Sequence, residues 1–157
     1  MKSITVHSVE QKLKKKIGMM TEPITNNPWF YNGEPFLDPG VYYGFVYVIT
    51  NKTNNRKYIG KKFFWTSKRK QVNKKRKTYK VESDWRDYWS SSDELKKDVQ
   101  ALGTDSFTRE VIHLCPNKGT TNYLEAKEQF IRGVLEDSNA WYNSWIMVKV
   151  HKTHVKL

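Results

Sequence analysis

Residues 45–60 read FVYVITNKTNNRKYIG, and they have the pattern of two short strands joined by a polar turn. Its first six residues alternate as a strand does, the polar residues 51–55 suit a turn, and residues 56–60 form a second strand that ends at a glycine. Each strand carries one tyrosine, Tyr47 or Tyr58, and a run of lysines and arginines follows at once. Phenols hydrogen-bond well and act as bases when activated, so the pattern predicts a hairpin that handles phosphate.

Length and charge indicate a single domain with an anionic partner. The chain has 157 residues, the size of one domain. Its net charge of +12, together with many aromatic residues, favours nucleic acid. A membrane partner is not expected, because the sequence has neither an apolar span nor a long basic amphipathic helix. The single cysteine, Cys115, and the lack of a secretory signal indicate the cytoplasm.

Composition separates an extension from the domain. Residues 1–40 should form an irregular, Pro-, Asn- and Gly-rich extension with a short basic helix at 8–16. Its aromatic residues are too apolar for a free linker, so we expect them to pack on the core; the alternative is that Trp29 or Tyr31 stacks on a base. The remaining parts are a domain at 41–145, which contains a basic insertion at 61–92, and a basic tail at 146–157.

The domain is predicted to have the order β-β-α-β-α, which belongs to the α+β class. A first helix should be capped by Ser92 and end at Gly103. The other predicted elements are strands at 41–50, 56–60 and 107–115, a helix from Thr121 or Asn122 to about Glu136, and a strand-like segment at 146–151.

These features resemble the GIY-YIG nucleases. Tyr58-Ile59-Gly60 is an intact second triplet, and Phe45-Val46-Tyr47 is a degenerate first triplet with Phe45 in the glycine position. The resemblance spans about residues 44–145 and ends at Tyr142-Asn143. It implies a small three-stranded antiparallel sheet flanked by helices. The segments KYIGKKFFW and ESDWRDYWSSS are similar to phage-encoded members, whose location would be the host cytoplasm.

The resemblance implies catalytic roles for Tyr47 and Tyr58, one of which would activate the attacking water. A phenol has a pKa near 10, so this requires help from a nearby cation or metal-bound water. The alternative for Tyr47 is an ordinary core position, since Phe45 and Ile49 share its side of the strand. Gly60 is expected to leave room for the phosphate.

A cation should stabilise the charge that develops on the phosphate. The family's arginine lies about eight residues past the second triplet, an offset that gives Lys68 here. We favour its neighbour Arg69, because a guanidinium binds phosphate in a bidentate way. Lys61 and Lys62 are the alternative phosphate ligands.

The metal-binding glutamate has two candidates on the second helix. Counting back from Asn143 gives Glu128, which also lies on an otherwise apolar helical stripe. The pattern Tyr-x-Glu-x-x-x-x-Phe of phage members gives Glu125, which we favour slightly. Asn143 matches the family's terminal asparagine, a substrate ligand, although a turn residue is an equal interpretation.

The function expected from the resemblance is a DNA endonuclease dependent on Mg²⁺ or Mn²⁺, leaving 5′-phosphate and 3′-hydroxyl ends. One metal site cuts one strand at a time, so a double-strand break would require a homo-oligomer or two encounters. Two alternatives are a non-catalytic nucleic-acid-binding module that retains the fold and a structure-specific or RNA-directed nuclease.

Overall fold

A computed structural model describes residues 27–157, so the basic helix predicted at 8–16 lies outside the described residues. Two helices are α1 (Asp93–Leu102) and α2 (Lys118–Ile131). The strands are β1 (Phe30–Tyr31), β2 (Glu34–Pro35), β3 (Gly44–Asn51), β4 (Lys57–Phe63), β5 (Trp65–Val72), β6 (Lys75–Glu82) and β7 (Phe107–Cys115). They form a five-stranded sheet of order β2-β1-β7-β3-β4 and a separate two-stranded sheet, β5-β6. The class is α+β, as predicted.

The centre of the larger sheet is the predicted antiparallel unit β7-β3-β4. The structure corrects the strand number from three to five, because part of the extension joins the sheet. Asn32 and Gly33 turn the chain with φ of 50° and 81°, which lets β1 and β2 pair as a short hairpin. β1 then runs parallel to β7.

Strand β3 is buried on both sides, so its side chains pack alternately into two hydrophobic clusters. Phe45, Tyr47 and Ile49 pack into a cluster on one side of the sheet. Val46 and Val48 pack into a second cluster on the other side. The alternation predicted from sequence is confirmed. It buries Tyr47 within the larger of the two clusters.

Aromatic residues of the extension belong to that larger core. Trp29 is 1% exposed and its ring lies edge-on to Phe45 and Tyr47. Tyr31 and Phe36 pack against the same cluster. A buried Trp29 has no free ring face for a nucleobase, so packing is the interpretation that describes it.

Helix α1 begins and ends where the sequence predicts. The Ser92 side chain accepts a hydrogen bond from the Leu95 N–H at 3.2 Å, and Gly103 follows the helix with φ of 84°. Leu95 and Val99 are the buried residues of this helix.

Helix α2 begins earlier than predicted. The cap is Asn117, whose side chain accepts from the Thr120 N–H at 2.8 Å. Thr121 lies inside the helix, where its hydroxyl donates to the Asn117 carbonyl. The helix ends at Ile131 rather than near Glu136, and Gly133 follows with φ of 61°.

The strand predicted at 146–151 is absent from the described residues. Asn143 explains this, because its amide hydrogen-bonds both the N–H and the carbonyl of Ile59 on β4. A strand following Asn143 would need those same groups. The chain leaves the sheet there and ends with a short 3-10 turn at Lys152–His154, against Gly119 of α2.

The basic insertion is a regular hairpin rather than a loop. Strands β5 and β6 pair antiparallel through eight residues each. Asn73 and Lys74, both with positive φ (49° and 63°), form the two-residue turn that suits the twist of such a ribbon. The described residues include no helix long and apolar enough to cross a membrane.

Candidate active site

The two predicted tyrosines lie side by side on β3 and β4. Their ring centroids are 6.2 Å apart. Tyr47 pairs in register with Gly60, where an added Cβ would lie 2.5 Å from the Tyr47 hydroxyl and 2.7 Å from the Tyr58 ring. The glycine therefore makes room for the two phenols, a reason that differs from the open phosphate path expected from sequence.

A third phenol, Tyr88, completes the cluster. It follows the 3-10 turn Trp85–Asp87, and its ring lies edge-on to Tyr47 at 6.2 Å. The Tyr58 hydroxyl and the Ser91 hydroxyl are 3.0 Å apart. Sequence reasoning missed Tyr88 and Ser91; the available signal was the aromatic-rich polar segment just before the cap of α1.

Burial keeps these phenols protonated at neutral pH. Burial raises the pKa of Tyr47 well above its ordinary value, and the neighbouring Tyr58, Tyr88 and Glu125 add to the effect. Burial also raises the pKa of Tyr58 and of Tyr88. The Ser91 side chain lowers both values in part, so each pKa stays above its ordinary value. The site thus presents hydroxyl groups rather than phenolates at neutral pH.

Glu125 is the carboxylate beside this cluster. Its Oε1 lies 3.0 Å from the Lys61 Nζ on β4, and its side chain is only 12% exposed. Burial raises the pKa of Glu125, and Lys61 lowers it in part, so the pKa stays above the ordinary glutamate value. The charge of Glu125 raises the pKa of all three tyrosines, which shows that they share one electrostatic environment.

Glu128 makes different contacts. Its two oxygens lie 2.7 Å from His113 Nε2 and 2.9 Å from Arg132 Nε. Burial alone would raise the pKa of Glu128, but these two partners outweigh it and hold the pKa below the ordinary value. Glu128 thus joins α2 to β7, while Glu125 joins α2 to β4 through Lys61.

The basic side chains predicted to bind phosphate lie in two separate parts of the structure. Lys61 pairs with Glu125, and Lys62 places its Nζ 3.9 Å from the centre of the Tyr88 ring and 2.6 Å from Asp84 Oδ1. Lys68 and Arg69 lie instead on β5, opposite Tyr79 and Thr78. No ion pair or ring contact of the described residues joins those two side chains to the tyrosines.

Asn143 hydrogen-bonds to the strand that carries Tyr58. Its Nδ2 donates to the Ile59 carbonyl at 2.8 Å, and its Oδ1 accepts from the Ile59 N–H at 3.0 Å. Gln129 of α2 donates to the same carbonyl at 3.1 Å. These bonds fix β4 between Tyr58 and Gly60, so the structure gives Asn143 a positioning task.

The sheet, the paired tyrosines and Glu125 all lie within a segment that matches a known protein family. Residues 29–146 match the family model described as "Putative endonuclease segE, GIY-YIG domain". The match covers more than half of the chain, which therefore belongs to this family of GIY-YIG endonuclease domains. No curated protein and no solved structure matches the chain.

Proposed function

We propose that this protein is a DNA endonuclease that hydrolyses phosphodiester bonds with the help of Mg²⁺ or Mn²⁺. Its membership of an endonuclease domain family supports the reaction class. The single observation that carries the assignment of the site is the largely buried carboxylate of Glu125, which pairs with Lys61 and whose charge raises the pKa of both Tyr47 and Tyr58. Phosphodiester cleavage uses such a set to hold a metal, orient water and stabilise negative charge.

The donors at the site fit a metal that keeps most of its water. The described residues hold no cluster of three or more His, Cys, Asp or Glu side chains suited to a metal. Mg²⁺ is commonly bound through one or two carboxylates, with waters and substrate phosphate as the other ligands. Glu125 would be that carboxylate, once Lys61 turns from it to the phosphate. The bound metal supplies Lewis-acid stabilisation of the reacting phosphate and lowers the pKa of its water.

The tyrosines orient and transfer protons. Tyr58 is half-buried and hydrogen-bonded to Ser91, so its hydroxyl is placed to contact the attacking water. Tyr47 is fully buried, and its raised pKa keeps it a hydroxyl donor. It holds Tyr58 and Tyr88 in position by contact between the rings.

Lys61 and Lys62 supply positive charge next to the phenols. Both extend from β4 directly after Gly60, and both form ion pairs with carboxylates at the site. A phosphate entering beside Gly60 would compete for these ammonium groups. We therefore assign the stabilisation of the reacting phosphate to Lys61 and Lys62 rather than to Arg69.

Cleavage of supercoiled plasmid tests this function. The purified protein should nick or linearise the plasmid with Mg²⁺ or Mn²⁺ and leave it intact in EDTA, with 5′-phosphate ends. Tyr58→Phe should slow the reaction by about 10²-fold or more, the usual contribution of proton transfer by a positioned group. Tyr42→Phe, a tyrosine outside the cluster, is the matched control. Binding of DNA without cleavage in either metal would instead establish a non-catalytic module.

Gly60→Ala tests the packing of the two phenols. The new methyl group would lie under 3 Å from both rings, so the Tyr47 hydroxyl and the Tyr58 ring must move. A displacement of about 1 Å at a catalytic site costs on the order of 10²-fold in rate, which is the loss expected here. The control is Gly40→Ala, where an added Cβ meets nothing within 4 Å but the φ of 55° strains an alanine, so the rates of the two variants are compared per folded protein. Unchanged cleavage by Gly60→Ala would show that the tyrosine geometry does not set the rate.

A further inference from the structure

The β5–β6 hairpin has no partner within the described part of the chain. Its residues 66–71 and 75–80 are all exposed, so neither side of the ribbon is covered. An isolated two-stranded ribbon is marginally stable in water, and three or more strands or a packed helix are usually needed. A strand of eight residues is also long, about 27 Å at 3.4 Å per residue. A ribbon that is this long and this exposed is a candidate binding surface.

The charges of the hairpin indicate a polyanion. Half of the residues in 66–81 are Lys or Arg, and none is acidic. None of these basic side chains belongs to an ion pair of the described residues. Lys70 even pairs directly opposite Lys77, and like charges in that position destabilise a sheet. The repulsion among these like charges opposes folding of the hairpin, and an anionic ligand would relieve it.

The pairing register sorts the side chains into two faces. Residues directly opposite one another share a face, and the faces alternate along the ribbon. The arginine face holds the pairs Arg69–Thr78 and Gln71–Arg76. The lysine face holds the pairs Lys68–Tyr79 and Lys70–Lys77.

The two faces match the two parts of a nucleic-acid duplex. Arg binds guanine and Gln binds adenine in a bidentate way along their major-groove edges, and Thr hydrogen-bonds to either. Lysines that contact phosphates strengthen binding without selecting sequence. The arginine face thus carries the side chains that read bases, and the lysine face those that grip the backbone.

We propose that the β5–β6 hairpin enters the major groove of duplex DNA, with the arginine face on base edges and the lysine face on phosphates, and so sets the sequence preference of the protein. This inference rests on the proposed function for its choice of DNA. The major groove of B-DNA, about 12 Å wide, admits a two-stranded ribbon, whereas the deep, narrow major groove of duplex RNA does not.

The base of the hairpin is fixed next to the candidate active site. β4, which carries Lys61 and Lys62, passes through one residue, the buried Phe64, into β5. The Phe64 ring lies 5.1 Å from that of Trp85, which follows β6. The Ser83 hydroxyl donates to the Phe63 carbonyl at 2.6 Å and the Trp65 indole to the Tyr42 carbonyl at 3.1 Å. Engagement of the groove would therefore set the distance between the recognised bases and the cut phosphate.

The test uses selection from a pool of randomised DNA duplexes in EDTA, followed by binding titrations, so that no cleavage is required. The wild-type protein should enrich a consensus. Arg69→Ala/Arg76→Ala should bind the selected duplex about 10-fold or more weakly and lose preference at one or two positions, with little change for a scrambled duplex. Lys70→Ala/Lys77→Ala should weaken both duplexes alike and reduce the slope of log affinity against log salt by about 1.8. Lys97→Ala/Lys127→Ala, on the helices, is the charge-matched control.

Several results would overturn the inference. These are a wild-type protein that enriches no consensus, arginine variants that enrich the same one, a helix control that loses as much affinity as the hairpin variants, and equal binding of duplex RNA. Failure of the nuclease proposal is distinguishable. A protein that selects DNA through the hairpin yet never cuts it with Mg²⁺ would refute only the proposed function.

Discussion

Glu125→Gln should lower the rate of plasmid cleavage by about 10³-fold, whereas Glu128→Gln should lower it by less than about threefold. Glutamine keeps the volume of the side chain but removes the charge that, in the proposed function, would hold a divalent cation. Metal catalysis contributes several kcal/mol, and 10³-fold corresponds to about 4 kcal/mol. The two residues lie on one helix, so the pair compares a carboxylate at the tyrosines with one held by His113 and Arg132.

The order of the two substitutions should be reversed for stability: Glu128→Gln should destabilise the protein more than Glu125→Gln. Glu128→Gln loses its charge-assisted hydrogen bonds, which at these partly exposed partners contribute about 1 kcal/mol. Because the folded pKa of Glu128 is lowered, this contribution is complete above about pH 4.3 and disappears as the pH falls through the folded value. Glu125→Gln should alter stability less, since burial already disfavours its charge.

Initial rates across a series of Mg²⁺ concentrations, together with urea unfolding of both variants, measure the two effects. Saturating Mg²⁺ should not restore Glu125→Gln. A larger loss of cleavage in Glu128→Gln, or an equal loss in both folded variants, would contradict the assignment of the metal to Glu125.

Sequence alone could not choose between these glutamates. Residues three apart on a helix are surface neighbours, so periodicity places Glu125 and Glu128 on nearly the same face. The choice depends on which strand each one meets. Lys61 of β4 pairs with Glu125, and His113 of β7 pairs with Glu128. These contacts join residues distant in sequence, which no local pattern encodes.

Local patterns did predict much of the framework. The alternation of β3, the turn at 51–55 and the cap of α1 at Ser92 depend on neighbouring residues alone, and β7 has the predicted bounds, Phe107–Cys115. Local patterns give the wrong structure for residues 146–151. Its composition suits a strand, but Asn143 already occupies the free backbone groups of Ile59.

The role of Arg69 stays a prediction, and the structure shows that it lies on a hairpin rather than on a helix. An offset counted along the chain assumes that a helix follows the second triplet. Here a type I′ turn at Asn73-Lys74 and a buried Phe64 produce a hairpin instead, which carries Lys68 and Arg69 onto an exposed ribbon. The two lysines that adjoin Gly60 form ion pairs with Glu125 and Asp84 instead.

Trp29→Ala should destabilise the protein by about 3–5 kcal/mol, the usual loss for removing a buried large aromatic side chain. Trp29 packs against Phe45 and Tyr47 with ring centroids at 5.0 Å in both cases. Its indole N–H donates to the Trp85 carbonyl at 2.7 Å. The Arg109 guanidinium lies 4.7 Å from its ring.

The neighbouring Arg109 makes this site more sensitive than packing alone implies. Arg109 is 1% exposed, and burial lowers its pKa to about 10. Its guanidinium lies between Trp29 and Trp89 and donates to the carbonyls of Asn27 and Tyr88. Loss of Trp29 removes one side of that enclosure and frees the segment that supplies one of the two carbonyls. Trp29→Phe, which retains a ring but loses the indole N–H, should cost less.

Urea unfolding of Trp29→Ala, Trp29→Phe and Trp145→Ala measures this effect. Trp145 is 69% exposed, so its removal should change the free energy of unfolding by less than about 0.5 kcal/mol. If Trp29→Ala were as stable as Trp145→Ala, residues 27–36 would not be part of the folding unit. If it is destabilised as expected, Trp29 also braces the Tyr47 ring that it contacts. Cleavage by the folded fraction of Trp29→Ala should then fall, whereas that of Trp145→Ala should not.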